Sequence, residues 1–135
     1  MFMQMVLALH EIHRHKKGKI LHRGVRPENI LMDQQGNLKL GDFSLAKMLN
    51  KDNSFAATSI GDSCYVSPEQ LSSAKSSEKS DIWSLGCLLF EMAALVPPFQ
   101  AQNHLAIAMK IKKGVIPSLP SCYSSELHRV VRYAL

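Results

Sequence analysis

Residues 81 to 95, DIWSLGCLLFEMAAL, are apolar almost all the way round a helical wheel, and no other segment constrains the fold as tightly. A helix at a protein surface keeps one polar face, so a helix without one has to be enclosed by other elements. The chain has 135 residues, enough for a single domain built around such a helix but not for two. Pro97 and Pro98 end the segment, because proline removes a helix donor and clashes with the preceding turn.

The enclosing elements are legible in outline. Phe2, Met5, Val6, Leu9 and Ile12 recur at helical spacing, which predicts a helix over 2–16 ended by Gly18. Met1, Met3 and Met5 read as core filler at its start. Two short apolar runs, Ile30 to Met32 and Leu38 to Leu40, flank the turn-forming DQQGN and predict one small β-hairpin. Residues 50–66 are polar and unpatterned, a long loop of the functional kind. Ser67, Pro68 and Gln70 then form a helix-start signature. Further helices are expected at about 103–113, closed by Gly114, and at about 125–135, entered through Ser124. The fold class is mainly α (α+β), with a single domain over 1–135.

Composition excludes several functions. The chain is 46% hydrophobic and 20% charged, ordinary for a globular domain. Its net charge of +5 is partly local, with His13, Arg14, His15, Lys16, Lys17 and Lys19 in one short stretch. No aromatic residues interleave that run, so it reads as a solvated loop and not as a nucleic-acid surface. No apolar stretch is long enough to span a membrane, and MFMQMVLAL lacks the basic start of a signal peptide. Cys64, Cys87 and Cys122 are odd in number and widely spaced, which fits free thiols in a reducing, cytoplasmic setting. His10 and His13 share a helix face, but no cysteine or carboxylate pair completes a metal site around them.

The chemistry-bearing motifs are ILHRGVRPENILM, LKLGDFSLAK and the Ser-Pro-Glu at 67–69, followed by Asp81, Trp83 and Gly86. In this order and spacing they resemble the catalytic loop, metal-binding turn and A-P-E motif of the eukaryotic protein kinases. SFAATSIGDSCYVSPEQ and EKSDIWSLGCLLFEMAALVPPF resemble the NIMA-related (Nek) serine/threonine branch. The resemblance runs through essentially the whole chain and implies a kinase-like C-terminal lobe without the N-terminal lobe. It assigns Asn29 and Asp42 to the metal-ligand positions and Leu31 to the residue under adenine. His22 and Phe43 match the stack joining catalytic loop to metal turn, and Asp81 the carboxylate that anchors the loop. Arg23 matches the phosphate-receiving arginine, and Glu69 a partner of an arginine lying beyond Leu135. Thr58 and Ser59 fall in the activation-loop segment as candidate phosphosites.

The departures from the pattern carry as much information. Gly24 stands at the catalytic aspartate, so no carboxylate accepts the substrate hydroxyl's proton, and no catalytic residue set is intact. Arg26 replaces the catalytic-loop lysine, which is not a neutral change. Ser44 replaces the last glycine of D-F-G and is expected to remove freedom from the turn. Asp62 stands near a family threonine, suggesting an Arg26–Asp62 ion pair across the site vacated at Gly24. No Gly-rich phosphate loop or ATP-contacting lysine precedes residue 22. The resulting expectation is a pseudokinase that acts as a binding or scaffold module. The alternative is the C-lobe portion of a longer ATP-binding kinase chain that phosphorylates Ser/Thr of protein substrates. Mg and ATP are expected only if an N-lobe is supplied, and protein partners at the surface that lobe would cover. The resemblance further implies a cytoplasmic protein with cytoskeletal association.

Overall fold

A computed structural model describes residues 1–49, 56–57, 63–73 and 75–135. In chain order the elements are α1 (Phe2–His13), β1 (Lys19–Leu21), β2 (Ile30–Met32), β3 (Leu38–Leu40), β4 (Lys47–Leu49) and β5 (Ala56–Ala57). They continue with α2 (Pro68–Ser73), β6 (Lys75–Ser76), α3 (Glu78–Ala94), α4 (His104–Lys113) and α5 (Ser125–Ala134). Single 3-10 turns occupy Pro27–Asn29 and Ser63–Tyr65.

The apolar segment forms the central helix, α3, and three clusters pack on its different sides. Leu85 and Leu88 meet Met5 and Leu9 of α1, with Val25 of the loop after β1. Trp83 and Cys87 meet Tyr65, Phe99, and Ile107 and Ile111 of α4. Leu89 and Phe90 meet Leu119 and Val131 of α5. α3 starts at Glu78, ahead of the expected 81. Ser77 caps it by accepting from the Lys79 amide (3.2 Å), while Ser80 Oγ accepts from the Ser77 amide (3.1 Å). Serine in place of the usual Glu or Gln at the third position hides this capping box from the sequence.

α1 ends at His13, short of the expected 16. The His15 amide tightens onto the Ile12 carbonyl, and Gly18, at φ 143°, turns the chain into β1. Of the three methionines expected inside, only Met5 is buried; Met1 and Met3 lie on the outer face. The hairpin β2–β3 forms in the antiparallel register Ile30↔Leu40. Its turn is closed by Asp33, whose Oδ1 accepts from the amides of Gln35 (3.0 Å) and Asn37 (2.8 Å). Gln4 fastens the hairpin to α1 through the Leu38 amide (3.0 Å). Two further ladders, β1–β4 and β5–β6, join the single one expected. Among the described residues no helix is long and apolar enough to cross a membrane.

Candidate functional site

The hairpin register builds the site. Pairing Ile30 with Leu40 sets Asn29 across from Gly41, and the Gly41 amide donates to the Asn29 carbonyl (2.8 Å). The loop of residues 22–29 and the turn of residues 41–44 are therefore held side by side at the open end of the hairpin.

Asp81, in the first turn of α3 and 1% exposed, fixes the loop from below. Its carboxylate accepts from the backbone amides of His22 (2.9 Å) and Arg23 (2.8 Å), and from His13 Nε2 (2.8 Å). A buried carboxylate needs such donors. The grip holds Arg23 at φ 65°, a left-handed conformation unusual for a residue with a Cβ. It also gives His13 a structural partner in place of the metal-pair reading of His10 and His13. Among the described residues no group of three His, Cys, Asp or Glu is arranged to hold a metal.

His22 is fully buried and links loop to turn. The Gly24 amide donates to Nδ1 (3.2 Å), so Nδ1 is the acceptor, and Nε2–H donates to the Gly41 carbonyl (3.0 Å). Its ring meets Phe43 edge-on, with centroids 4.7 Å apart. Burial depresses the His22 pKa below 6.5, against the pull of Asp81. The Gly24 amide on Nδ1 also favours the neutral ring, since a proton on Nδ1 would face that N–H, while the bond to the Gly41 carbonyl pulls the other way without overcoming burial.

Gly24 presents only backbone to the site. A Cβ there would lie 3.2 Å from Asn29 Nδ2 and 3.6 Å from the His22 ring, so a side chain fits if Asn29 yields slightly. Asn29 is buried and donates through Nδ2 to the Gly24 carbonyl (2.7 Å). Its remaining amide oxygen and the Asp42 carboxylate are hard donors of the kind magnesium takes. They fit Mg²⁺ in chemistry, provided water or phosphate oxygens complete the shell. Asp42 is exposed, and its pKa is lowered chiefly by hydrogen bonds from Ser44. The Ser44 amide donates to Asp42 Oδ1 (3.1 Å).

Ser44, expected to remove freedom from the turn, sits there without a left-handed backbone. The left-handed residue is Asp42, at φ 53°, and position 44 adopts an ordinary conformation, so a glycine is not required there. Arg26 Nε lies 3.8 Å from Glu28. Asp62, its expected partner, and the candidate phosphosites Thr58 and Ser59 lie outside the described residues. Leu31 is on the hairpin with its side chain 59% exposed. Glu69 lies apart from the loop and accepts from Ser80 Oγ (2.8 Å), joining α2 to the start of α3. The sequence reading missed His13 as the third donor to Asp81, which no local pattern signals across 68 positions.

Loop, turn and anchoring helix together define a protein-kinase-like lobe, and the protein kinase domain family matches residues 1–132. The chain belongs to the protein kinase family. Within it the chain is Nek-like: it is 48% identical to the human serine/threonine-protein kinase Nek2 over 130 residues, 95% of this chain and 29% of that protein. It is 47% identical to the probable serine/threonine-protein kinase nek2 of Dictyostelium discoideum, over 96% of this chain and 31% of that one. The G2-specific protein kinase nim-1 of Neurospora crassa is 45% identical over 86% of this chain and 13% of its own length. The chain thus spans less than a third of the relatives it matches.

Proposed function

We propose that this chain is a Nek-type kinase lobe that does not transfer phosphate and acts by binding a protein partner. The observation that carries this reading is Gly24: a catalytic loop with its anchoring contacts made, and no carboxylate at the one position that would receive the substrate's proton. Losing a general base costs about 10² to 10⁴ in rate. Loss of nucleotide positioning would cost more, and the 135 residues contain no Gly-rich loop or ATP-contacting lysine. Magnesium, when bound, would neutralise phosphate charge; Asn29 and Asp42 would hold it. The partner surface is the side bearing Leu31, Phe43 and Leu45, all exposed.

The test is transfer of labelled γ-phosphate from Mg·ATP to a generic Ser/Thr substrate. Transfer no greater than in a protein-free blank is expected, for the chain itself and for Gly24→Asp. Magnesium-dependent transfer abolished by Asp42→Ala would overturn the proposal.

A second reading, part of a longer ATP-binding Ser/Thr kinase chain, is favoured by the retained Asn29 and Asp42 and by the small share of its relatives that the chain spans. Coding sequence upstream of Met1 for a Gly-rich loop and a V-A-I-K-like strand would select it. Under the first reading, ATP binds this chain no tighter than about millimolar, near −4 kcal/mol.

A further inference from the structure

The segment after α4 and the inner flank of α5 enclose a cleft of about 290 Å³ to which no catalytic-loop residue contributes. Its apolar lining comes from Ile116, Leu119 and Val131, the last two being core side chains 5% and 2% exposed. Its cationic lining comes from Arg129 and Arg132, and His128 lies one turn before Arg132 on the same flank of the helix.

Both arginines are exposed, and among the described residues neither pairs with an acidic side chain. The one acid between Gly114 and Leu135 is Glu126, which sits in the first turn of α5 beside Ser125 Oγ (3.3 Å). The cleft therefore carries uncompensated positive charge above an apolar floor. Such a cleft selects a ligand with an apolar stem and a doubly charged head. Two guanidinium forks suit phosphate, whose oxygens accept paired N–H bonds, better than they suit a single carboxylate. The volume suits one large side chain and is at the bottom of the range for whole small-molecule ligands.

We propose that this cleft binds a phosphorylated tyrosine side chain of a partner protein, with the ring against Ile116 above the buried Leu119 and Val131 and the phosphate on Arg129 and Arg132. The site is independent of the catalytic loop and stands whether or not the lobe transfers phosphate.

The test uses the 135-residue chain and one short, otherwise neutral, fluorescent peptide carrying phosphotyrosine, phosphoserine or unmodified tyrosine, read by anisotropy. Phosphotyrosine is expected to bind about tenfold or more tighter than either alternative, and to weaken about tenfold or more in the Arg129→Gln/Arg132→Gln double variant, each tenfold step being about 1.4 kcal/mol. Gln retains most of the side-chain bulk, and an unchanged thermal midpoint confirms that the variant folds. Binding should also weaken with added salt. Equal binding of the unmodified peptide, equal binding of phosphoserine, an unaffected double variant, or no saturable binding would each overturn the proposal.

Discussion

At the residue scale, Asp81 and His22 carry the loop, and each makes a distinct prediction. Asp81→Ala would strand the His22 and Arg23 amides and the His13 ring in a largely buried site. Removing one side of a buried charged network typically costs about 3 to 5 kcal/mol, so urea midpoints should fall by that equivalent. A loss under about 1 kcal/mol would mean the loop holds itself. His22 predicts a pH dependence. Its folded pKa is depressed, so the unfolded chain binds the extra proton. Stability is then complete above pH 6.5 and declines as pH falls below it. Thermal scans between pH 7.5 and 5.5 should show the decline, and His22→Asn should flatten it. The lowered carboxylates Asp33, Asp42, Glu78 and Glu126 act in a lower window, beneath 4.5, so they do not imitate it. The contacts of His22, Phe43 and Asp81 were legible because each sits inside a motif of adjacent residues. His13 was not, because its partner is distant in sequence and close only after α1 packs beside α3.

At the scale of elements, the helices were legible because capping and periodicity are local. Gly114 closes α4 at φ 65°, as the sequence predicts, and Asn103 opens it by accepting from the Ala106 amide (2.9 Å). The ladder β1–β4 was not legible. A strand of three residues contains too little alternation to register, and its partner lies beyond the hairpin. One helix end also departs from local preference: α3 closes on Leu95 at φ 61°, with its amide on the Glu91 carbonyl (2.7 Å). A left-handed L-residue costs roughly 1 to 2 kcal/mol, while glycine adds about 0.4 to 1 kcal/mol of unfolded-state entropy. Leu95 is 85% exposed, so little packing is lost on truncation. Leu95→Gly should therefore stabilise the protein by a few tenths to about 1 kcal/mol. A lower thermal midpoint would show that Leu95 is needed for contacts, not tolerated for them.

At the scale of the whole molecule, α3 is enclosed on several sides, yet the side carrying the hairpin and the turn remains apolar and open. The enclosure is tight where α5 crosses: a Cβ on Gly86 would lie 2.6 Å from Ala134 Cβ. Gly86→Ala should destabilise by about 1 to 3 kcal/mol, as overpacking does, and Ala134→Gly should recover part of that loss in the double variant. Additive effects would show that the helices part without resistance. The open side behaves differently. Leu31, Phe43 and Leu45 are 59%, 47% and 41% exposed, around the same turn that holds Asp42. Burying each large apolar side chain is worth about 1.5 to 3 kcal/mol, so two or three together can drive self-association when no partner covers them. Sedimentation velocity on the isolated chain should show mass rising with concentration, and hydrophobic dye should bind. Phe43 is unsuitable for the test because its ring also supports His22. Leu31→Gln/Leu45→Gln removes apolar area from exposed positions only, so it should suppress association and dye binding while leaving the thermal midpoint of dilute protein within about 0.5 kcal/mol equivalent. A chain that stays monomeric at every concentration, or a double variant that associates as before, would place the adhesive surface elsewhere and remove this side as the partner-binding one.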